Sequence, residues 1–325
     1  MSKQEVPIQQ IEQPYYPDDE IDLRELFGIL WQGKWLIVAV TMLFAAAGVA
    51  YALYKPNIYQ ASVLVAPANN EDSKLGGLGG QLGGLASLAG LSLGGGSNQT
   101  AIAKEVLQSR AFITDFIHRH DLVKPLAAMK SWDESNSQWV YDRETYDPEA
   151  EEWLVDENGN SLKPSDWDLV KIFREDHLSV SENQDNGMIS VSVKSLSPVS
   201  AQQWSQWLVE DINDHMRRQD VEEAEASIQY LEEKLNETSI AGMQQVFYQL
   251  IESETRTVML ANAQKEYVFK TVDPSVVPEE KVEPKRALIV VVSTLLGGIL
   301  SVFLIFVMAF VRASKSDGTP SEIAV

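Results

Sequence analysis

Cysteine is absent from all 325 residues. No disulfide framework, thiolate nucleophile or cysteine-based metal site is therefore available. Basic residues are scarce, with 26 lysines and arginines against 47 aspartates and glutamates and a formal net charge of −21. Residues 55–286 hold 21 basic and 38 acidic side chains, a net −17. A surface so acidic argues against binding nucleic acid or another polyanion through a basic patch. Histidine is rare too. His118 and His120 lie beside Asp121, but positions two apart on a helix do not face each other and no third ligand is apparent. Catalytic signatures are missing as well: no phosphate loop of the GxxxxGK[ST] type, no GxSxG elbow and no HExxH zinc helix. The carboxylate pairs Glu210/Asp211 and Glu232/Glu233 have the residue types of a glycosidase dyad. They sit in an acidic helical pattern, which a solvated face explains better. The expectation is no enzyme activity, no catalytic residue, no cofactor and no metal.

What is present is a pair of long apolar runs, 35–54 and 287–311. Each holds about the 20 uncharged residues needed to cross a hydrocarbon core as a helix. The first starts only at Trp35 and ends without a small-residue cleavage site, so it reads as a retained anchor. Residues 1–34 and 312–325 form tails too short for a folded catalytic domain. Arg24, Lys34, Arg312 and Lys315 flank the spans on the tail side, against Lys55, Lys285 and Arg286 on the loop side. This bias favours cytoplasmic tails and an external loop over 55–286. Within the spans, Ala45, Ala46, Ala47, Gly48, Ala50 and Ala52 form one small-residue patch and Ser293, Gly297, Gly298 and Ser301 another, with Ala46, Gly48 and Ala50 the packing positions expected of the first. Small residues four apart let helices approach closely in lipid. They also simply fill a span, and the pattern alone does not separate the two readings.

Between the spans, IYQASVLVAP reads as a strand. Residues 75–96 contain ten glycines and seven leucines without charge. A third span there is disfavoured, because each glycine costs a helix about 1 kcal/mol relative to alanine. A surface segment whose leucines pack on a neighbouring chain is the better reading. A single helix is expected over about 100–118, then a polar, tryptophan-rich excursion over 128–165. Ser165 caps a short helix. Leu178 and Val180 face Ile189, Val191 and Val193 across a hairpin turn. Ser197-Pro198 opens a long helix. Val221, Ala224, Ile228, Leu231 and Leu235 recur on it as a short coiled-coil seam. A second helix over about 240–263 makes a helical hairpin, followed by the strand EYVFKTVDP. Pro274, Pro278 and Pro284 then make a stiff, extended lead-in. The fold class is α+β: two membrane helices flank an α/β base (55–197 with 264–273), a helical projection (198–263) and the lead-in (274–286). The first, hairpin and last strands are expected to share one sheet.

Three blocks carry a family resemblance: EIDLRELFGILWQGKWLI into the first span, YQASVLVAP after it, and VDPSVVPEEKVEPKRAL running into a span that holds LLGGILS. Together they resemble the Wzz family of polysaccharide co-polymerases, the chain-length determinants of Gram-negative bacteria. The leucine-glycine segment and SRAFITDFIHRHDLVKPLAAMKSWD are similar to a subset of it. The resemblance implies an inner-membrane protein with both termini cytoplasmic and a periplasmic domain. It implies ring-like homo-oligomers that work with a separate Wzy-type polymerase and its growing lipid-linked polysaccharide, O-antigen or a related exopolysaccharide. Some relatives carry or pair with a kinase, and the missing phosphate loop and terminal tyrosine cluster imply the kinase-free class. Rival readings are a periplasmic export adaptor, a two-span sensor and a periplasmic glycan hydrolase.

Overall fold

A computed structural model describes residues 28, 30–68 and 95–316. Most of the N-terminal tail over 1–34 and most of the leucine-glycine segment lie outside those residues. The chain divides into two compact units. One holds the apolar helices α1 (Lys34–Tyr54) and, numbered last in chain order, α8 (Arg286–Ser316). The other, Lys55–Pro284, is an α/β unit. It runs β1 (Ile58–Pro67), α2 (Gly95–Leu107), α3 (Arg110–Arg119), α4 (Val123–Ala127), β2 (Met129–Asp133) and β3 (Gln138–Tyr141). Next come β4 (Tyr146–Asp147), β5 (Glu152–Trp153), α5 (Asp166–Ile172), a π-helical turn (Phe173–His177), β6 (Leu178–Glu182) and β7 (Ile189–Ser195). It closes with α6 (Pro198–Glu237), α7 (Ala241–Ala263), β8 (Phe269–Asp273) and β9 (Lys281–Glu283).

The main sheet has the order β6-β7-β1-β8, and β9 also pairs with β1. All of these pairings are antiparallel. Strands from both ends of the unit therefore meet on β1, as the alternating patterns anticipated. Their two-residue period decides which face is buried. Val180, Val191 and Val63 stand in one row across three strands, and Leu178, Val193 and Ala61 in the next. Val63, Val65, Ile189, Val191 and Val193 are buried, each contributing roughly 1.5–3 kcal/mol by leaving water. Serines occupy the opposite face, where Ser62 and Ser192 hydroxyls bond across the strands at 2.8 Å.

Two helical expectations change. The helix expected over 100–118 is broken, because Ser109 acts as N-cap and its Oγ accepts from the Phe112 N–H, starting α3 afresh. The first half of α6 belongs to the core. Trp204, Leu208, Ile212 and Met216 recur every four residues and are buried against β1 and β7. The hairpin proper is only the distal half of α6 with α7. The excursion over 128–165 contains two small antiparallel hairpins, β2–β3 and β4–β5.

Polar groups pin the unit where α6 leaves the core. Asn213 is buried; its Nδ2 donates to the Phe269 carbonyl at 2.9 Å, and its Oδ1 accepts from the Val268 and Phe269 amides at 2.8 and 2.9 Å. Asp220 accepts from Gln99 Nε2 at 2.7 Å and from the Tyr267 hydroxyl at 2.6 Å. Burial first, then the bond to the Asp220 carboxylate, pushes the Tyr267 phenol up to about 12. A tyrosine raised in the folded state stabilises the fold below its ordinary value and stops doing so as pH rises through the raised one. Stability is therefore expected to fall between about pH 10 and 12. Tyr267→Phe should remove that part of the decline in alkaline unfolding curves. An unchanged alkaline slope would disprove this role.

Candidate functional site

No pair of carboxylates, metal cluster or nucleophile organises a catalytic centre among the described residues. The surfaces that could carry function are packing surfaces. The first is the helix pair. α1 and α8 are 21 and 31 residues long and carry charges only near their ends, and apolar residues such as Trp35, Leu43, Leu295 and Phe303 point away from the pair. They pack antiparallel: Gly33 faces Ile305, Phe44 faces Gly297, Gly48 faces Ser293, and Arg286 Nε donates to the Ala52 carbonyl at 3.2 Å. A Cβ on Gly297 would stand 2.6 Å from Phe44 Cβ, and one on Gly48 would stand 2.8 Å from Ser293 Cβ. Backbones that close exclude a side chain on either glycine.

Of the small residues expected to pack, Gly48, Ser293, Gly297 and Ser301 lie on the inner side, with Ser301 Oγ returned to the Gly298 carbonyl at 2.7 Å. Ala46 and Ala50 are exposed, and a Cβ on Gly298 would meet nothing within 4 Å. The helical period accounts for the difference. Positions 41, 44, 48 and 52 fall on one stripe at spacings of three and four, and 46 and 50 fall off it. Ala52, also in the small-residue patch, is buried on that stripe.

The second surface is the hairpin. Along α6, Ala224 is buried, and Val221, Ile228, Leu231 and Leu235 are half-buried on the side against which α7 packs. Glu222, Glu223, Glu225, Glu232 and Glu233 stay exposed. On α7, Phe247, Ile251 and Val258 turn inward, and Ala261 is buried. Met243, Val246 and Leu250, which share a second helical stripe, remain exposed with Tyr248 and Met259. This outward apolar stripe is more than the hairpin needs for its own packing.

Other singled-out residues separate. His118 Nε2 bonds Asp166 Oδ1 at 2.8 Å, whereas His120 Nε2 bonds Asp211 Oδ2 at 2.9 Å and stacks on Trp207. Asp211 is thereby a buried partner of His120 and Arg119, and Glu210 is exposed beside Gln206. Glu210 and Asp211 do not form an acid–base couple. Pro274 is exposed, and Pro278 and Pro284 are half-buried. The lead-in they were expected to stiffen is anchored where Ser275 Oγ lies 2.7 Å from Ser205 Oγ of α6, and it then forms β9. Nothing in the proline spacing signalled that strand; the alternation over three residues is too short to read.

Residues 19–120 match a family model described as Wzz, chain length determinant protein. Residues 239–310 match one described as GNVR, a G-rich domain on putative tyrosine kinase. The tyrosine-protein kinase etk of Escherichia coli strain K12 is 36% identical over 98 residues, which make up 30% of this chain and 12% of that protein. The etk of strain O157:H7 gives the same figures. The chain thus spans only 12% of the length of the curated relatives it matches. A solved full-length bacterial polysaccharide co-polymerase is similar at TM-score 0.38 and 12% identity, over 91% of this chain and 99% of its own. A fragment of WzzB, polysaccharide co-polymerase from Salmonella Typhimurium, is similar at TM-score 0.29 and 10% identity, over 70% and 100%. The chain length determinant match takes in the first apolar helix, the central strand β1 and helices α2 and α3, so residues 19–120 of this chain are similar to the chain length determinant domain of the Wzz family.

Proposed function

We propose that this chain is a non-enzymatic inner-membrane scaffold that sets the chain length of a surface polysaccharide, O-antigen or a related exopolysaccharide. The polymer is made by a separate Wzy-type polymerase. The observation that carries the reading is the chain length determinant match over 19–120. Residues 35–54 and 287–311 cross the membrane, both termini are cytoplasmic, and 55–286 form the periplasmic domain. The antiparallel course of α1 and α8 supports termini on one side, and the basic flanks support the cytoplasmic side. Copies assemble through the outward stripe of α7, whose exposed Met243, Val246 and Leu250 need a partner. The assembly holds the polymerase and growing lipid-linked glycan together and biases when elongation stops.

Deleting the gene and resolving the polysaccharide by size tests the proposal. A broadened or shifted length distribution with export intact is expected. An unchanged distribution would sink it, and lost export would point to an adaptor. The G-rich domain match and the kinase relative favour a second reading, a partner for a separate tyrosine kinase. In the same deletion strain, unaltered lengths with a lowered phosphotyrosine signal would support that alternative.

A further inference from the structure

The π-helical turn Phe173–His177 is the least ordinary backbone in the α/β unit. Such turns are rare and concentrate at functional sites. Here the turn ends one wall of a cleft of about 370 Å³, within the range of small-ligand sites. Leu126, Met129, Trp139 and Ile172 line it with apolar surface; Asp176 and His177 contribute polar groups from the turn, and Lys194 and Ser195, whose Oγ already accepts from the Ser197 N–H, contribute others from β7. None of the sequence signals marked this place.

The polar chemistry is one-sided. His177 Nδ1 lies 2.6 Å from the Lys194 carbonyl oxygen. A carbonyl only accepts, so Nδ1 carries the proton and donates. Burial pushes His177 below the ordinary histidine value, which keeps the ring neutral at pH 7. Nε2 is then an acceptor. The exposed Asp176 carboxylate, a second acceptor, makes no hydrogen bond or ion pair with another described residue. The ammonium of Lys194, also on the lining, is already paired with Glu283. The cleft therefore offers acceptors to hydroxyl donors and no unpaired cation to an anion.

The apolar chemistry is planar. Trp139 is half-buried, and Trp132 meets it edge-on at 4.8 Å between ring centroids, which fixes the plane of the indole. An aromatic face is electron-rich and attracts the weakly positive C–H bonds of a ring laid over it. A ring with an apolar C–H face and hydroxyls at its edge satisfies both halves of the cleft.

We propose that this cleft binds a neutral sugar ring, its C–H face on Trp139 and its hydroxyls donating to Asp176 and His177. The choice of a sugar among hydroxyl-bearing rings rests on the chain-length reading. The exclusion of acidic sugars follows from the acceptors themselves and from the net −17 of residues 55–286.

The test uses the full chain in a detergent without a sugar headgroup. Saturation-transfer NMR is recorded with the methyl glycosides of glucose, galactose, N-acetylglucosamine and glucuronic acid. Transfer to the ring protons of at least one neutral glycoside is expected, with the glucuronide weaker by about tenfold. Trp139→Ala and Asp176→Asn should each weaken binding by about tenfold. Asp176 is exposed, so its variant tests the cleft even if the tryptophan variant fails to fold. No transfer from any neutral glycoside, transfer that survives Asp176→Asn, or equal binding of the glucuronide would overturn the proposal. Lost binding with altered polymer lengths in the deletion strain removes the cleft alone. Retained binding with unaltered lengths removes the chain-length role alone.

Discussion

Gly297→Ala is expected to destabilise the paired apolar helices by about 1–3 kcal/mol, whereas Gly298→Ala should be neutral or stabilising by up to about 1 kcal/mol. The contrast follows from one turn of geometry. At Gly297 the added carbon would stand 2.6 Å from Phe44 Cβ, with Thr41 Cα at 3.3 Å. Neither is the far end of a flexible side chain, so the helices must separate or bend. At Gly298 the same carbon meets nothing within 4 Å. Any gain there comes from alanine's better helix propensity, and the loss at Gly297 exceeds that gain. Thermal unfolding of the full chain in lipid nanodiscs reads the difference. Equal midpoints for the two variants would mean that α1 and α8 do not pack closely at this level.

Asn213→Ala should cost about 3 kcal/mol or more, the largest loss expected from a single polar side chain in the α/β unit. Asn213 serves three backbone groups at once: the amides of Val268 and Phe269 and the carbonyl of Phe269. Each buried group left without a partner costs about 1–3 kcal/mol. Water entering the vacated space offsets some of this, which is why the full sum is not expected. Asn213→Asp separates the contributions. A carboxylate keeps both amide bonds but has no proton for the Phe269 carbonyl, so its loss should be smaller near neutral pH. Denaturant unfolding followed by circular dichroism checks both variants. A loss below about 1 kcal/mol for the alanine variant would show that the site rearranges to pair these groups another way.

The legible parts of the fold were those where a periodic pattern and a local signal agree. Ser165 and Ser197 cap the helices they were expected to cap, and the turn over 185–187 joins the expected hairpin strands. The shared sheet was readable because Leu178, Val180, Ile189, Val191 and Val193 alternate cleanly. The break at Ser109 was missed because apolar spacing runs through it, and one side-chain bond to Phe112 decides the boundary. Which half of α6 is core was also hidden. Trp204–Met216 and Val221–Leu235 share a helical period, and only tertiary contacts separate a sheet-facing stripe from a hairpin seam. In the spans, composition identified the small residues, but the facing stripe needed the partner's register. The cleft lay beyond reading altogether, because Trp139, Asp176 and His177 come from segments brought together only by folding.

The length of α6 has a mechanical consequence. Its 40 residues make a rod of about 60 Å, clamped along its first half by the sheet and held at Asn213 and Asp220. The remaining portion, from Asp220 to Glu237, extends about 27 Å past the clamp. A tilt of one degree at the clamp would move the far end by about 0.5 Å, and five degrees by over 2 Å. Sub-ångström repacking around Trp204 or Phe269 is therefore geared up at the tip.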